Sequence, residues 1–338
     1  MKKSFLIVAA AAVVLAVAGG CAKKQESAKP ADVPTKVIVG TLIGATPEGI
    51  ALAEGWLAEA LGTEVDIVYF DAGREVVAAM ASGSIDFGMT GSPTTAISIA
   101  NGIPLQVVYI HDVAGESDSL NVRGSLGIQD AQGLIGRRIA TTFTSASHYN
   151  LMSYLKINNV NPSDVDIIDI NSGDILETFI QGNIDGAFIW DPVITNMINN
   201  GGVMLTSSRE LADAGYAVMD LTIVRTEFAE RYPDLVSAYV RTMDRAVALY
   251  RSDPKKAGEA LARQTGLTAE ECLEMVESAV WLTANEQKGM RWAGTSALSR
   301  AMYNTALFLY EQGNISEEPS IEIFQRAVTN RYLDAWEP

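Results

Sequence analysis

The feature that most constrains this chain is a unit that occurs twice. Lys36 to Ile43 reads as a buried strand, and Thr46-Pro47-Glu48 opens a helix with an N-cap hydroxyl, a first-turn proline and an acid at the positive helix end. Ile50, Ala53, Leu57 and Leu61 give that helix one apolar stripe. A strand over Val65 to Phe70, a helix over Arg74 to Ala81 and a strand over Asp86 to Met89 complete the first pass. The second pass keeps the order: strand Arg138 to Thr142, helix Ser147 to Asn158, strand Val165 to Ile170, helix Ile175 to Gln181, strand Gly186 to Ile189. The junctions match in detail, Ser82-Gly83-Ser84-Ile85-Asp86 returning as Gln181-Gly182-Asn183-Ile184-Asp185. Two βαβαβ units predict an α/β fold with two lobes and mostly parallel sheets.

Leu105 to Ile110 and Ser119 to Val122 read as strands leading into the second lobe, and Asp220 to Val224 as the strand returning from it. From Tyr232 the pattern is helical, over Leu235 to Tyr250, Lys255 to Gln264, Ala269 to Ala279, Ser296 to Gln312 and Ile321 to Arg331. The expected division is a first lobe of residues 36–118 and 225–338, carrying the C-terminal helices, and a second lobe of residues 119–224. Two chain crossings make a hinge, and hinged α/β lobes close on ligands.

Ahead of the repeat, Lys2-Lys3 and the apolar run Phe5 to Ala18 read as a signal peptide over residues 1–20, too short for a membrane span. Ala18-Gly19-Gly20-Cys21 resembles a bacterial lipobox, which would make Cys21 the lipidated first residue of the mature chain. The polar stretch from Ala22 to Thr35 reads as a tether, giving residues 21–35 as a flexible link. Cys272 is then a lone thiol. With 25 Lys+Arg against 41 Asp+Glu and a formal charge of −16, a nucleic-acid partner is not expected. Two histidines and two cysteines supply no metal site of the usual kinds, and no cofactor is expected.

Ligands of open α/β sheets bind beyond the carboxyl ends of strands, where helix N-termini direct free N–H groups outward. Four loops qualify: 44–48 with Thr46 and Glu48; 90–95 with Gly91, Ser92 and Thr94; 144–149 with Thr144, Ser145, Ser147 and His148; and Trp190-Asp191-Pro192. Hydroxyls and amides at three helix starts make a neutral cradle for a tetrahedral anion, or are plain N-caps. Asp191 and Asp220 beside them could face an ammonium, so the set suits a small zwitterion. Trp190 either covers such a ligand or packs in the core, and Asp191 is either a site acid or a cap. Ser145 or Ser147 beside His148 could be imagined as a hydrolase pair, but no Gly-x-Ser-x-Gly elbow surrounds either.

Gly136-Arg137-Arg138-Ile139-Ala140, Thr144 to Tyr149, Gly182 to Trp190, Phe70-Asp71-Ala72-Gly73 and Asp220 to Arg225 together resemble the taurine-binding proteins of taurine ABC transporters, related to sulfonate, nitrate and thiamine-precursor binding proteins. The resemblance spans roughly Val37 to Arg331. It implies a two-lobed periplasmic-binding-protein fold (type II-like) for a monomeric, extracytoplasmic protein; the lipobox-like stretch adds the expectation of a lipid anchor at a membrane, and with no catalytic motif around Ser145 or Ser147 no enzymatic activity is expected. Its partner would be an ABC permease with a cytoplasmic ATPase. By the resemblance, His148 and its hydroxyl neighbours would hold a sulfonate, Asp220 would receive the ammonium and Trp190 would line the cavity. Thr46 stands where the family has an acid, Thr222 where it has an aromatic, and Asp191 where a small neutral residue is expected. A different small anion, a thiamine-pyrimidine precursor, or ligand sensing without transport remain the alternatives.

Overall fold

The computed structural model describes residues 33–42, 44–288 and 295–334. The leader, Cys21 and most of the tether lie outside the described residues. Among the described residues ten strands form two five-stranded sheets: β1 (Lys36–Leu42), β2 (Glu64–Phe70), β3 (Phe87–Gly91), β4 (Leu105–Val113), β5 (Asp118–Arg123), β6 (Arg138–Thr141), β7 (Asp166–Asp169), β8 (Gly186–Trp190), β9 (Gly202–Ser207) and β10 (Met219–Arg225). The first sheet has the order β2-β1-β3-β10-β4 and the second β7-β6-β8-β5-β9. In each, the three strands of the repeated unit run parallel and the fourth strand is antiparallel to both of its neighbours.

The antiparallel strand of each sheet is the crossing strand. β5 follows β4 out of the first lobe into the second sheet, and β10 comes back from the second lobe into the first. This corrects the expected boundaries. β10 belongs wholly to the first lobe, so the return crossing precedes Met219 and does not fall at residue 224; Asp118 already pairs within the second sheet.

The recurring junction has a structural cause. Asp86 donates its N–H to the Ile38 carbonyl (2.8 Å) and accepts the Ile38 N–H on its carboxylate (3.0 Å). Asp185 does the same to Arg138, at 2.8 and 2.9 Å. A short acid at this point locks the strand after each turn to its parallel neighbour. Gly83 and Gly182 precede them with φ of 77° and 82°, the left-handed region where a glycine closes a helix without a Cβ clash.

Alternation along the strands sends side chains to both faces. In the first sheet Val37, Val39, Phe87 and Tyr109 pack against the helices Trp56–Leu61 and Pro233–Ser252, while Val107, Ile110, Leu221 and Ile223 pack on the side of the helices Gly73–Ala81, Thr295–Glu311 and Ile321–Ala327. In the second, Leu120, Val122, Ile139 and Phe188 face Leu151 and Leu155; Ala140, Ala187 and Ile189 face Ile175, Phe179 and Met197. The C-terminal helices therefore cover the first lobe and also reach the second: Phe308 meets Tyr149 edge-on, centroids 5.1 Å apart, and Lys156 lies over the Phe308 ring (4.7 Å) and pairs with Glu311 (3.5 Å).

Two expected helices are broken. The first stops at Ala53 and restarts at Trp56, because Gly55 takes φ 72° between the pieces. The last ends at Ala327, since Val328 bridges Val107 and the Thr329 N–H donates to the Val107 carbonyl (3.1 Å); Arg331–Asp334 is separate.

Candidate ligand-binding site

A cavity of about 110 Å³ lies where the ends of the two sheets meet. Its walls include the loop Gly44-Ala45-Thr46, Gly91 and Thr94 of the first lobe, and Ser145, Ala146, Trp190 and Asp191 of the second. Gly91 shows how closely the lobes approach: a Cβ there would stand 3.4 Å from the Ala146 Cβ and 3.5 Å from the Asp220 carboxylate.

The helix starts bring amides and hydroxyls to the rim. Thr46 Oγ1 accepts the Gly49 N–H (3.1 Å) and Ser145 Oγ accepts the His148 N–H (3.2 Å). Both are N-caps, yet each hydroxyl keeps its own proton to donate into the cavity. Thr94 spends its proton across the cleft, on the Thr144 carbonyl (2.7 Å). Thr144 has φ 66°, a strained conformation for a β-branched residue, held by that bond and by its own N–H donating to His148 Nδ1 (3.3 Å).

Four carboxylates, Asp112, Asp118, Asp191 and Asp220, line the same cavity, and no Lys or Arg does so among the described residues. Asp118 is fixed by the Ser147 hydroxyl, Ser208 Oγ (2.7 Å) and Asn150 Nδ2 (3.2 Å). Burial lifts its pKa to about 6 despite these donors. Asp220 is pushed up to about 8, first by burial and then by the charge of Asp112, with Asp118 and Glu48 adding and His111 opposing. Among the described residues no hydrogen-bond donor or ion-pair partner meets the Asp220 carboxylate. Asp191 is raised by burial and accepts from Thr195 N (3.1 Å) and Oγ1 (2.6 Å), so it is both a cap and a wall.

Beneath Asp112 lies a buried polar chain. Glu48 turns away from the cavity to His111 Nε2 and the Tyr239 hydroxyl (2.8 Å), and His111 Nδ1 stands 3.4 Å from Asp112. Burial alone would lower the His111 pKa, but Glu48 and Asp112 push it up to about 10, while Glu48 is held below its usual value. The imidazolium is the internal counter-charge to Glu48.

Of the residues expected at the site, Thr46, Gly91, Thr94, Ser145, Trp190, Asp191 and Asp220 line the cavity. Five do not, and each has a structural employment. Glu48 serves the His111 pair; Ser92 Oγ accepts the Met219 N–H (3.1 Å); Ser147 holds Asp118; Thr144 and His148 brace one another behind Ser145. His148 stacks on Phe143, centroids 4.5 Å apart, and burial lowers its pKa to about 4, leaving a neutral ring that accepts through Nδ1. Sequence reasoning missed Asp112, Asp118, Met219, Met275 and Trp281. A signal for Asp118 existed: Asp118-Ser-Leu-Asn-Val-Arg123 and Asp220-Leu-Thr-Ile-Val-Arg225 share the frame Asp-x-x-x-Val-Arg. Met275 and Trp281 come from the far helical region, where nothing local marks them.

Among the described residues no group of three or more His, Cys, Asp and Glu could hold a metal ion, and no helix is long and apolar enough to cross a membrane. The site lies between the two lobes of an α/β protein. Residues 44–257 match the model of the family described as NMT1/THI5 like, and the chain belongs to that family. The taurine-binding periplasmic protein of Escherichia coli (strain K12) is 31% identical over 304 residues, 88% of this chain and 92% of that protein. Among solved structures, the alkanesulfonate-binding protein SsuA from Xanthomonas axonopodis pv. citri bound to MOPS superposes with a TM-score of 0.75 at 20% identity, covering 88% of this chain and 98% of that one. The periplasmic aliphatic sulphonate binding protein SsuA from Escherichia coli gives 0.73 at 22%, covering 88% and 99%. The shared fold is the periplasmic-binding-protein fold.

Proposed function

We propose that the protein is the extracytoplasmic binding component of an ABC importer and captures taurine or a related small amine-bearing sulfonate, without turnover. The observation that carries this reading is the division of the cavity wall. Capping hydroxyls and helix-start amides of both lobes offer hydrogen bonds to an anion, and four carboxylates offer charge to a cation. The family and the taurine-binding relative support it. Ligand contacts with both lobes stabilise the closed form, which the permease recognises.

In this reading residues 1–20 are removed, Cys21 carries the lipid, and the mature protein works as a monomer on a tether at a membrane surface. Calorimetry of the mature protein against taurine, alkanesulfonates and nitrate tests the ligand; absence of binding to every sulfonate sinks the assignment. Mass spectrometry of the membrane fraction tests the anchor, the expected result being a diacylglyceryl mass at Cys21 that Cys21→Ser abolishes.

A further inference from the structure

β5 and β10 are equivalent strands in the two lobes, and the equivalence extends to the residue. Val122 pairs with Gly186 as Val224 pairs with Phe87, directly after the matched acids Asp185 and Asp86. Four positions along, Asp118 pairs with Trp190 as Asp220 pairs with Gly91. Each crossing strand thus delivers one aspartate to the same cavity, from opposite lobes.

The two acids are prepared differently. Both oxygens of Asp118 are engaged, Oδ1 by Ser147 and Oδ2 by Ser208 and Asn150, which leaves one lone-pair site on Oδ1. Asp220 has its acceptor sites free among the described residues. One acid is rigidly oriented and the other is open, and their charges interact. Without a cation the two cannot both stay ionised, because like charges in a desolvated site oppose each other, and Asp220 keeps a proton instead. Among the described residues, the internal cation near them, His111, is already claimed by Glu48 and Asp112.

We propose that Asp118 is a specificity-determining residue: with Asp220 it clamps the positively charged end of the ligand, one carboxylate from each lobe, so that a ligand lacking a cation fails to draw the lobes shut. The inference rests on reading this cavity as the ligand site. Closure is then selective by charge, since the cation turns an opposing pair of acids into a bridge between lobes. Asp118 supplies the fixed half of that bridge and Asp220 the half that adjusts.

The test is calorimetry of the wild-type protein, Asp118→Asn and Asp220→Asn against four probes: taurine, β-alanine, ethanesulfonate and ethylamine. The wild type should bind the best amine-bearing probe at least roughly tenfold more tightly than ethanesulfonate, as loss of one charge-assisted hydrogen bond implies. Each variant should lose that preference by about the same factor, with ethanesulfonate unchanged or tighter. Taurine failing while β-alanine or ethylamine binds with this pattern would defeat the sulfonate reading and leave the clamp standing. Equal binding of ethanesulfonate and taurine by the wild type overturns the clamp, as does an unaltered preference in Asp118→Asn, or no binding of any probe. If Asp118→Asn does not fold, Asp118→Glu keeps the charge and should keep the preference; its loss there also overturns the proposal.

Discussion

Asp118 and Asp220 hold the same place in two copies of one strand, paired opposite Trp190 and Gly91 at the mouths of their sheets. Five residues on, Arg123 and Arg225 donate their N–H groups to the carbonyls of Asp185 and Asp86, both at 2.9 Å. The crossing strands are therefore anchored at one end and acidic at the other, and the acidic ends meet in the cavity.

The Asp220 carboxyl gives the first prediction. Its folded pKa of about 8 lies above the ordinary 3.8, so the native state holds a proton that the unfolded chain has released. Its contribution to stability falls as pH rises from about 4 to about 8 and is lowest above that window. Asp220→Asn should flatten the decline of the ligand-free protein, measured as urea midpoints from pH 5 to 8. For the same reason a cationic ligand displaces protons on binding, so its affinity should rise with pH across 6 to 8. Calorimetry in buffers of different ionisation heat should register the released proton.

Glu48 and His111 make a buried pair, each almost wholly inaccessible. Removing one partner leaves the other charge without compensation, so Glu48→Ala is expected to cost about 3–5 kcal/mol. The His111 pKa of about 10 exceeds the ordinary 6.5, so the stabilisation is complete below about pH 6.5 and lost as pH passes through 10. Chemical denaturation of wild type and variant at pH 7 and pH 10.5 checks this: the difference should shrink at the higher pH.

Arg74 joins the lobes at the rim, away from the cavity. It donates to both oxygens of Asp169 (3.2 and 3.1 Å) and to Asn171 Oδ1 (2.6 Å). Exposed pairs contribute only about 0.2–1 kcal/mol, so Arg74→Ala should weaken ligand binding by no more than about fivefold. The dependence of affinity on salt should diminish with it, and X-ray scattering should show a larger radius for the ligand-free variant.

Gly115 lies in the first crossing, where a Cβ would sit 2.1 Å from the Ser278 carbonyl oxygen. That carbonyl accepts the Glu116 N–H at 2.8 Å, so the clash cannot be relieved by a side-chain turn. Gly115→Ala is expected to destabilise by about 1–3 kcal/mol, seen in thermal melts, and to alter ligand affinity because it displaces Ser117 and Asp118 at the cavity wall.

The architecture was legible because its signals are local and repeated. The two βαβαβ units, their Gly and Asp junctions and the capped helix starts each stand in one stretch of chain. The exchange of crossing strands was not legible, since Asp220 to Val224 reads as a strand whichever sheet it joins. At the site, Ser and Thr at helix starts were visible, but not which of them point inward. Ser92 and Ser147 look like Ser145 in the sequence, and only packing assigns them to Met219 and Asp118. Glu48 was drawn from the cavity by His111, a partner 63 residues away.

The placement of β10 beside β3 and β4 has a consequence for how the molecule comes into being. A ribosome releases β1 to β4 long before Arg225, so the earlier half of the chain emerges with a gap in the middle of its sheet. β3 and β4 have no common neighbour until the later half has been made and has sent its last strand back. The nascent chain therefore cannot complete its first sheet from its amino end alone: that sheet stays open until β10, Met219–Arg225 of 338 residues, has been made.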